Sequence, residues 1–162
     1  MTLPPPEVLH ALLIDAARAG DTQAAGALLR AGADVEKPDA RGFTPLMLAA
    51  YNGHPAAVRL LLEAGAGVDA PGDPRGNTAL IGVAFKGDEP VARILLEAGA
   101  APDAVNAAGQ TALMTAAMFR RSEIARLLLD RGADPDKPDA AEASARTIAA
   151  GQEDEELLAL FN

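Results

Sequence analysis

Residues 39–70, DARGFTPLMLAAYNGHPAAVRLLLEAGAGVDA, decide the fold because the short motifs that begin and end their predicted helices recur along the chain. Gly-Ala pairs follow one another at a spacing that is constant to within one position, at Gly32-Ala33, Gly65-Ala66, Gly99-Ala100 and Gly132-Ala133. A second marker, a Thr two residues before a Leu, keeps the same spacing at Thr44, Thr78 and Thr111. A fixed period of about 33 residues predicts supersecondary modules that stack on one another to bury their apolar faces.

The sequence of each module predicts two short helices. Thr44 can cap the first free amides of a helix, and Pro45 fits its first position. Gly53 predicts the end of that helix in a left-handed conformation, and Pro55 predicts the start of a second helix. Gly65 ends the second helix, and the Gly, Pro and Asp residues of positions 66–76 predict an extended, hairpin-like loop to the next module.

The Thr-Pro-Leu opening and the Gly-Ala close resemble an ankyrin repeat. Similar units run from Asp73 to Ala104 and from Asn106 to Lys137, and partial units run from Leu12 to Glu36 and from Ser144 to Phe161. The resemblance implies an all-α solenoid of about five stacked helix-turn-helix units joined by β-turn or hairpin loops. It also implies a single domain over residues 1–162, with capping repeats at 1–37 and 138–162 and complete repeats at 38–71, 72–104 and 105–137.

The sequence departs from the family pattern at four points. The motif histidine is absent, its slots holding Ile14, Met47, Ile81, Met114 and Thr147, so apolar packing or water must replace its hydrogen bonds. One extra residue lies between Gly65 and Thr78, which predicts a bulged loop there. Arg120 stands where earlier units have glycine, so the backbone shifts or carries strain of about 1 kcal/mol. Gly82 lies inside a predicted helix, by drift or as a dent in the binding surface.

The resemblance implies that loop tips and first helices line a concave binding groove. Four of the five aromatic residues fall in groove positions, and Tyr51, Phe85 and Met118 share one slot in consecutive units. These side chains form an anchoring patch for a partner or, alternatively, fill gaps between units. The predicted partner-binding residues are Arg41, Phe43, Tyr51, Asn52, Arg75, Asn77, Phe85, Lys86, Gln110, Met118, Phe119 and Arg120.

Basic residues border this stripe, at Arg41, Arg75, Lys86, Arg120 and Arg121. In a chain with a net charge of −9, this clustering points to a partner surface that is apolar with some carboxylates. The alternative is a set of solvated arginines without a binding role.

Charge and composition exclude several classes of function. The net charge of −9 disfavours nucleic acid and anionic membranes as partners. No apolar run or signal pattern predicts insertion or export, so we expect a cytoplasmic protein. The absence of cysteine is equally compatible with a reducing compartment and with a mature exported form.

The sequence predicts no catalytic residues, no cofactor and no metal site. His10 and His54 stand alone, and prolines interrupt the carboxylates of Asp134, Asp136 and Asp139. We therefore expect a non-enzymatic protein that binds another protein and is a monomer when free. The alternatives are a regulatory or inhibitory subunit of an enzyme and a self-associating scaffold.

Overall fold

The computed structural model describes residues 2–162, which form ten α-helices arranged as five consecutive pairs. The helices are α1 (Pro6–Ala19), α2 (Thr22–Arg30), α3 (Pro45–Tyr51), α4 (Pro55–Glu63), α5 (Ala79–Lys86), α6 (Glu89–Glu97), α7 (Ala112–Met118), α8 (Ser122–Asp130), α9 (Ala145–Gly151) and α10 (Glu155–Leu160).

The pairs stack in register, so the helices form two layers. The odd-numbered, inner helices contact one another in the order α1, α3, α5, α7 and α9, and the even-numbered, outer helices do the same. Leu61, Leu95 and Leu128 occupy equivalent places in the outer helices and are fully buried; we call them the leucine column. The predicted solenoid of five stacked helix pairs is confirmed.

Side-chain caps fix where most of the described helices begin, α1, α4 and α8 being the exceptions. The hydroxyl groups of Thr44, Thr78 and Thr111 accept hydrogen bonds from the amides of Met47, Ile81 and Met114, at 3.2, 3.3 and 3.2 Å. Asp21, Asp88 and Asp154 cap outer helices in the same way. Each cap satisfies an amide that the helix itself leaves without a partner, so the short helices start at defined residues.

The first helix is longer than the resemblance indicated. α1 starts at Pro6, whereas the partial repeat was recognised only from Leu12. The added turns include Leu9 and His10, which are both buried. His10 Nε2 also donates a hydrogen bond to the carbonyl oxygen of Pro38 at 3.0 Å, which ties the added turns of α1 to the loop before α3.

The slots of the missing histidine are filled mainly by packed apolar side chains. Met47, Ile81 and Met114 are all buried. In the last pair, Thr147 and Ser144 bond reciprocally through side chains and backbone amides, forming a capping box at the start of α9. Apolar packing therefore replaces the polar motif residue in the three complete units.

Among the described residues, left-handed positions that are not glycine are confined to the C-terminal part of the chain. The backbone φ of Arg120 is 53°, so the helix end keeps the conformation of the glycines in earlier units. Glu142 and Glu153, with φ values of 63° and 53°, are in the same state. A left-handed L-residue costs about 1 to 2 kcal/mol, so the last two units carry strain that the earlier units avoid with glycine.

The turns that precede the inner helices α3, α5, α7 and α9 are the fingers, residues 39–43, 73–77, 106–110 and 139–143. In three of them the first residue donates its amide to the carbonyl of the fifth. In the second finger Gly72 donates to Asn77 instead, and the Gly72 carbonyl accepts from Thr44. The extra residue is thus absorbed just before this finger. Within the finger, Pro74 has no amide with which to make the bond to the preceding finger that Ala107 and Ala140 make.

A contact between charged groups holds the C-terminal end of the stack. Arg146 donates to both carboxylate oxygens of Asp136, at 2.7 and 3.1 Å, and to the carbonyl oxygen of Phe161 at 2.7 Å. The hydrogen bonds from Arg146 hold the pKa of Asp136 below its ordinary value. The end of α10 is thereby fastened to α9 and to the loop before it.

Candidate protein-binding groove

The fingers and the inner helices enclose one open groove of about 850 Å³. It runs from the end of α1 to the end of α7, because stacking brings equivalent positions of successive pairs side by side. Nine of the predicted partner-binding residues line it: Arg41, Phe43, Tyr51, Arg75, Asn77, Phe85, Gln110, Met118 and Phe119.

The other three predicted residues do not line this groove. Lys86 lies at its edge, with its Nζ 4.8 Å from the centroid of the Tyr51 ring. Asn52 donates its side-chain amide to the carbonyl of Leu48 at 2.7 Å, at the end of its own helix. Arg120 donates to the carbonyl of Gln152 at 3.0 Å, so its guanidinium joins the fourth helix pair to the fifth.

Three aromatic side chains form a continuous row in the groove. The Tyr51 and Phe85 rings are nearly parallel, with centroids 6.1 Å apart, and the Phe85 and Phe119 rings meet edge to face at 4.6 Å. The three residues are 38, 39 and 44% exposed, respectively. We call them the ring column; each ring leans on its neighbour and still presents a substantial apolar surface to solvent.

The ring column differs in one member from the predicted stripe. Met118 occupies the slot equivalent to Tyr51 and Phe85 and is 37% exposed, but the neighbouring Phe119 makes the ring contact with Phe85. Phe119 is the cap residue just after the last turn of α7. The repeat register identified Met118 as the equivalent of Tyr51 and Phe85. The contact between the Phe119 and Phe85 rings depends instead on the backbone conformation at the C-terminal end of α7.

The floor of the groove is shaped by Met47 and two glycines. A Cβ atom on Gly72 would lie 2.8 Å from Met47 Cβ, and a Cβ atom on Gly82 would lie 2.9 Å from Met47 Sδ. The missing side chains therefore provide the room in which Met47 packs. Gly82 lines the groove and does not leave an empty dent, because Met47 fills the space beside it.

Each finger is held by one recurring side chain that the sequence analysis did not single out. Oδ1 of Asp39 accepts hydrogen bonds from the amides of Arg41 and Phe43, both at 2.9 Å. The same pair of bonds is made at every finger, by Asp39, Asp73, Asn106 and Asp139. Their recurrence at the spacing of the repeat was the available signal. These side chains give the groove a firm wall of defined turns.

Side-chain amides link the second finger to the third. Asn106 Nδ2 donates to Asn77 Oδ1 at 2.9 Å and to Gln110 Oε1 at 3.1 Å. Asn77 in turn donates to Asp73 Oδ2 at 2.8 Å. This chain of amides forms a polar, uncharged part of the groove wall.

Side chains from one pair also cap the inner helix of the preceding pair. Arg121 Nε and Nη2 donate to the carbonyl oxygen of Phe85, both at 3.2 Å, and His54 Nε2 donates to that of Arg18 at 3.0 Å. His54 thus makes a contact between units. Arg121 is likewise engaged in joining units.

Comparison with known families agrees with the stacked architecture. A family model described as "Ankyrin repeats (3 copies)" matches residues 13–106 and again residues 66–139. The two matches together cover most of the chain. The chain belongs to the ankyrin-repeat family. Membership of this family favours protein–protein interaction as the class of function.

Individual ankyrin-repeat relatives match only part of the chain. The mitochondrial disaggregase of Bos taurus is 44% identical over 61 residues, which are 38% of this chain and 9% of that protein. Human protein phosphatase 1 regulatory subunit 27 is 36% identical over 63 residues, 39% of this chain and 41% of that protein. The matches thus span less than half of either relative.

The three aspartates of the loop between α8 and α9 of this ankyrin-repeat chain have separate hydrogen-bonding partners. Asp136 binds Arg146, Asp139 holds the fourth finger, and Asp134 Oδ1 accepts from the amide of Asp136.

None of the helices described for residues 2–162 has the length and apolar character that crossing a bilayer requires.

Proposed function

We propose that this chain is a non-catalytic interaction module, a single ankyrin-repeat domain acting in the cytoplasm, whose groove binds a segment of another protein. The observation that carries the proposal is the ring column. A chain with only 3% aromatic residues places three adjoining rings in one open groove, each more than a third exposed. Exposed aromatic clusters are typical anchors of protein interfaces.

The construction of the groove also supports binding by a preformed surface. The finger turns are fixed by Asp39 and its equivalents, and the inner helices are capped and stacked on a buried core. A surface that is ordered before docking loses little conformational entropy when it binds. We therefore expect the groove to keep its shape when a partner is bound.

The test is to replace Tyr51 and Phe85 together with alanine. Because both side chains are already partly exposed, the free energy of unfolding should fall by only about 1 to 2 kcal/mol. Capture of the partner should weaken by about 2 kcal/mol or more, since aromatic anchors dominate interfaces. Chemical denaturation gives the first quantity, and quantitative affinity pulldown beside the unaltered protein gives the second.

A matched control is the double variant Val8→Ala/Leu12→Ala. These α1 side chains are 45 and 46% exposed, so a comparable apolar surface is lost outside the groove. The control should leave partner capture unchanged. The proposal fails if the ring variant unfolds far more readily while capture is unaffected, because the rings would then serve the fold alone.

A regulatory subunit of an enzyme is the second candidate, favoured by the partial similarity to protein phosphatase 1 regulatory subunit 27. It requires a stoichiometric complex in which the activity of the captured enzyme changes. A self-associating scaffold would instead show a solution mass that rises with concentration and falls back in the Tyr51→Ala/Phe85→Ala variant.

A further inference from the structure

Three cationic side chains at the groove have no carboxylate partner within residues 2–162. Arg41 lies with its guanidinium carbon 5.5 Å from the centroid of the Phe43 ring, Lys86 lies over Tyr51, and Arg75 lines the groove from the second finger. None of the three takes part in an ion pair inside this described part of the chain. Several cations elsewhere on the described surface also take part in no ion pair, so these three are distinguished by their place at the groove beside exposed rings.

The carboxylates nearest to Arg41 and Arg75 along the chain are turned into the fingers. The Asp39 side chain is only 13% exposed; its Oδ1 accepts two backbone amides and its Oδ2 accepts from Arg18 at 3.4 Å. Asp73 accepts the amides of Arg75 and Asn77 and the side chain of Asn77. Both carboxylates are therefore committed to the fold, and Arg41 and Arg75 remain available to a ligand.

The positive charge is confined to one half of the groove. The finger positions of Arg41 and Arg75 are occupied by Ala108 and Ala141 in the third and fourth fingers. The third finger instead presents the amide chain of Asn106 and Gln110. Along the groove, therefore, the wall changes from cationic beside α3 and α5 to neutral and hydrogen-bonding beside α7.

We propose that the groove binds an extended acidic peptide segment of a partner protein. Its apolar side chains rest on the ring column, and its Asp or Glu residues pair with Arg41, Arg75 and Lys86. Its acidic part lies beside α3 and α5, and its less charged part lies beside the amides of the third finger. This inference rests on the proposed function, because it specifies the chemistry of the occupant of the same groove.

A peptide fits this charge distribution better than a nucleic acid does. Phosphate backbones require several cations along the strand and are repelled by a strongly negative chain. Here three cations are grouped beside rings in a protein with a net charge of −9. Complementary charges at the rim of an interface chiefly steer the encounter and select the partner.

The experiment is a selection from a random dodecapeptide phage library on the unaltered protein and on the Arg41→Glu/Arg75→Glu variant. The unaltered protein should enrich peptides with two or more Asp or Glu residues and at least one large apolar residue. The charge-reversed variant should enrich peptides with Lys or Arg in their place, because like charges at the rim are repelled.

The best acidic peptide is then synthesised with a fluorescent label and titrated by anisotropy. Arg41→Ala/Arg75→Ala should weaken its binding about fivefold, the effect expected for two exposed ion pairs, and the difference should shrink at high salt. The matched control is Arg93→Ala/Arg126→Ala, in which Arg93 pairs with Glu89 and Arg126 pairs with Glu123 and Glu156, all on the outer helices. The control should bind like the unaltered protein.

The possible outcomes separate this inference from the function on which it rests. Selected peptides without an acidic bias that still lose binding in Tyr51→Ala/Phe85→Ala overturn the acidic occupant and leave the binding groove intact. A selection that yields no peptide dependent on the ring column overturns both. An oligothymidylate 15-mer that binds more tightly than the acidic peptide, and is lost in Arg41→Ala/Arg75→Ala, overturns the peptide in favour of nucleic acid.

Discussion

Two columns of side chains run along this stack with the same spacing and have opposite exposures. Leu61, Leu95 and Leu128 recur once in each repeat and are fully buried. Tyr51 and Phe85 are likewise one repeat apart, yet with Phe119 they are 38 to 44% exposed. The comparison teaches that the repeat period aligns equivalent side chains, whereas the helix layer and the face that carry them decide whether the fold covers them.

Leu95→Ala should have the largest effect on this comparison. The side chain is fully buried among the stacked units, so its loss leaves a cavity and should lower the free energy of unfolding by about 2 to 5 kcal/mol. Urea denaturation followed by circular dichroism measures the change. Leu95→Met, which keeps the volume, should cost less than about 1.5 kcal/mol. An equal loss for Leu95→Ala and Phe85→Ala would contradict the distinction between the two columns.

Gly72→Ala tests the groove floor and should have an intermediate effect. The new methyl group would lie 2.8 Å from Met47 Cβ, an atom that moves only with the backbone of α3. We expect a loss of about 1 to 3 kcal/mol, typical of overpacking. Thermal and urea denaturation provide the measurement.

Gly151→Ala is the matched control for the groove floor. Its added Cβ atom meets nothing within 4 Å, and the residue ends α9. This variant should be neutral or gain up to about 1 kcal/mol from helix propensity. Equal behaviour of the two alanine variants would show that Met47 adjusts freely and does not set the floor.

Glu153→Gly should have the smallest effect, and its sign is the opposite. The residue is held at a φ of 53°, so replacing it with glycine relieves backbone strain. Glycine also makes the unfolded chain more flexible, which offsets part of this gain. The net effect should be a rise of about 1 kcal/mol in the free energy of unfolding. Glu153→Ala removes the same carboxylate but keeps the strain, and should show no such gain. Both variants should leave the ring column unchanged. A change in partner capture would show that the ring column depends on the C-terminal end of the stack.

Much of the fold could be predicted because its determinants are local. Thr44 and its equivalents cap helices through bonds to amides in the first turn, and Gly53 and Gly87 end helices through their own backbone freedom. The start of α1 at Pro6 was not predicted, because it depends on the burial of Leu9 and on the contact of His10 with Pro38. Those contacts are made with a loop that the repeat pattern does not describe.

The sequence placed most of the groove-lining positions, and the binding roles of those residues stay predictions. It did not distinguish Arg41 and Arg75 from Arg120 and Arg121. The latter two donate to carbonyl groups of adjacent units, which are distant in the chain. Whether an arginine is available to a ligand depends on such distant partners, which a repeat alignment does not contain.

By itself, the sequence determined the period, the helix pairs and the register that puts Tyr51 and Phe85 in one row. Only the tertiary structure decided that Phe119 continues the row, that Met47 fills the space beside Gly72 and Gly82, and which cations remain without a carboxylate. The physical reason is the distance along the chain over which each kind of interaction acts. Caps, turns and periodicity act between residues close in the chain, whereas burial and charge pairing depend on neighbours that stacking brings together from one unit to the next.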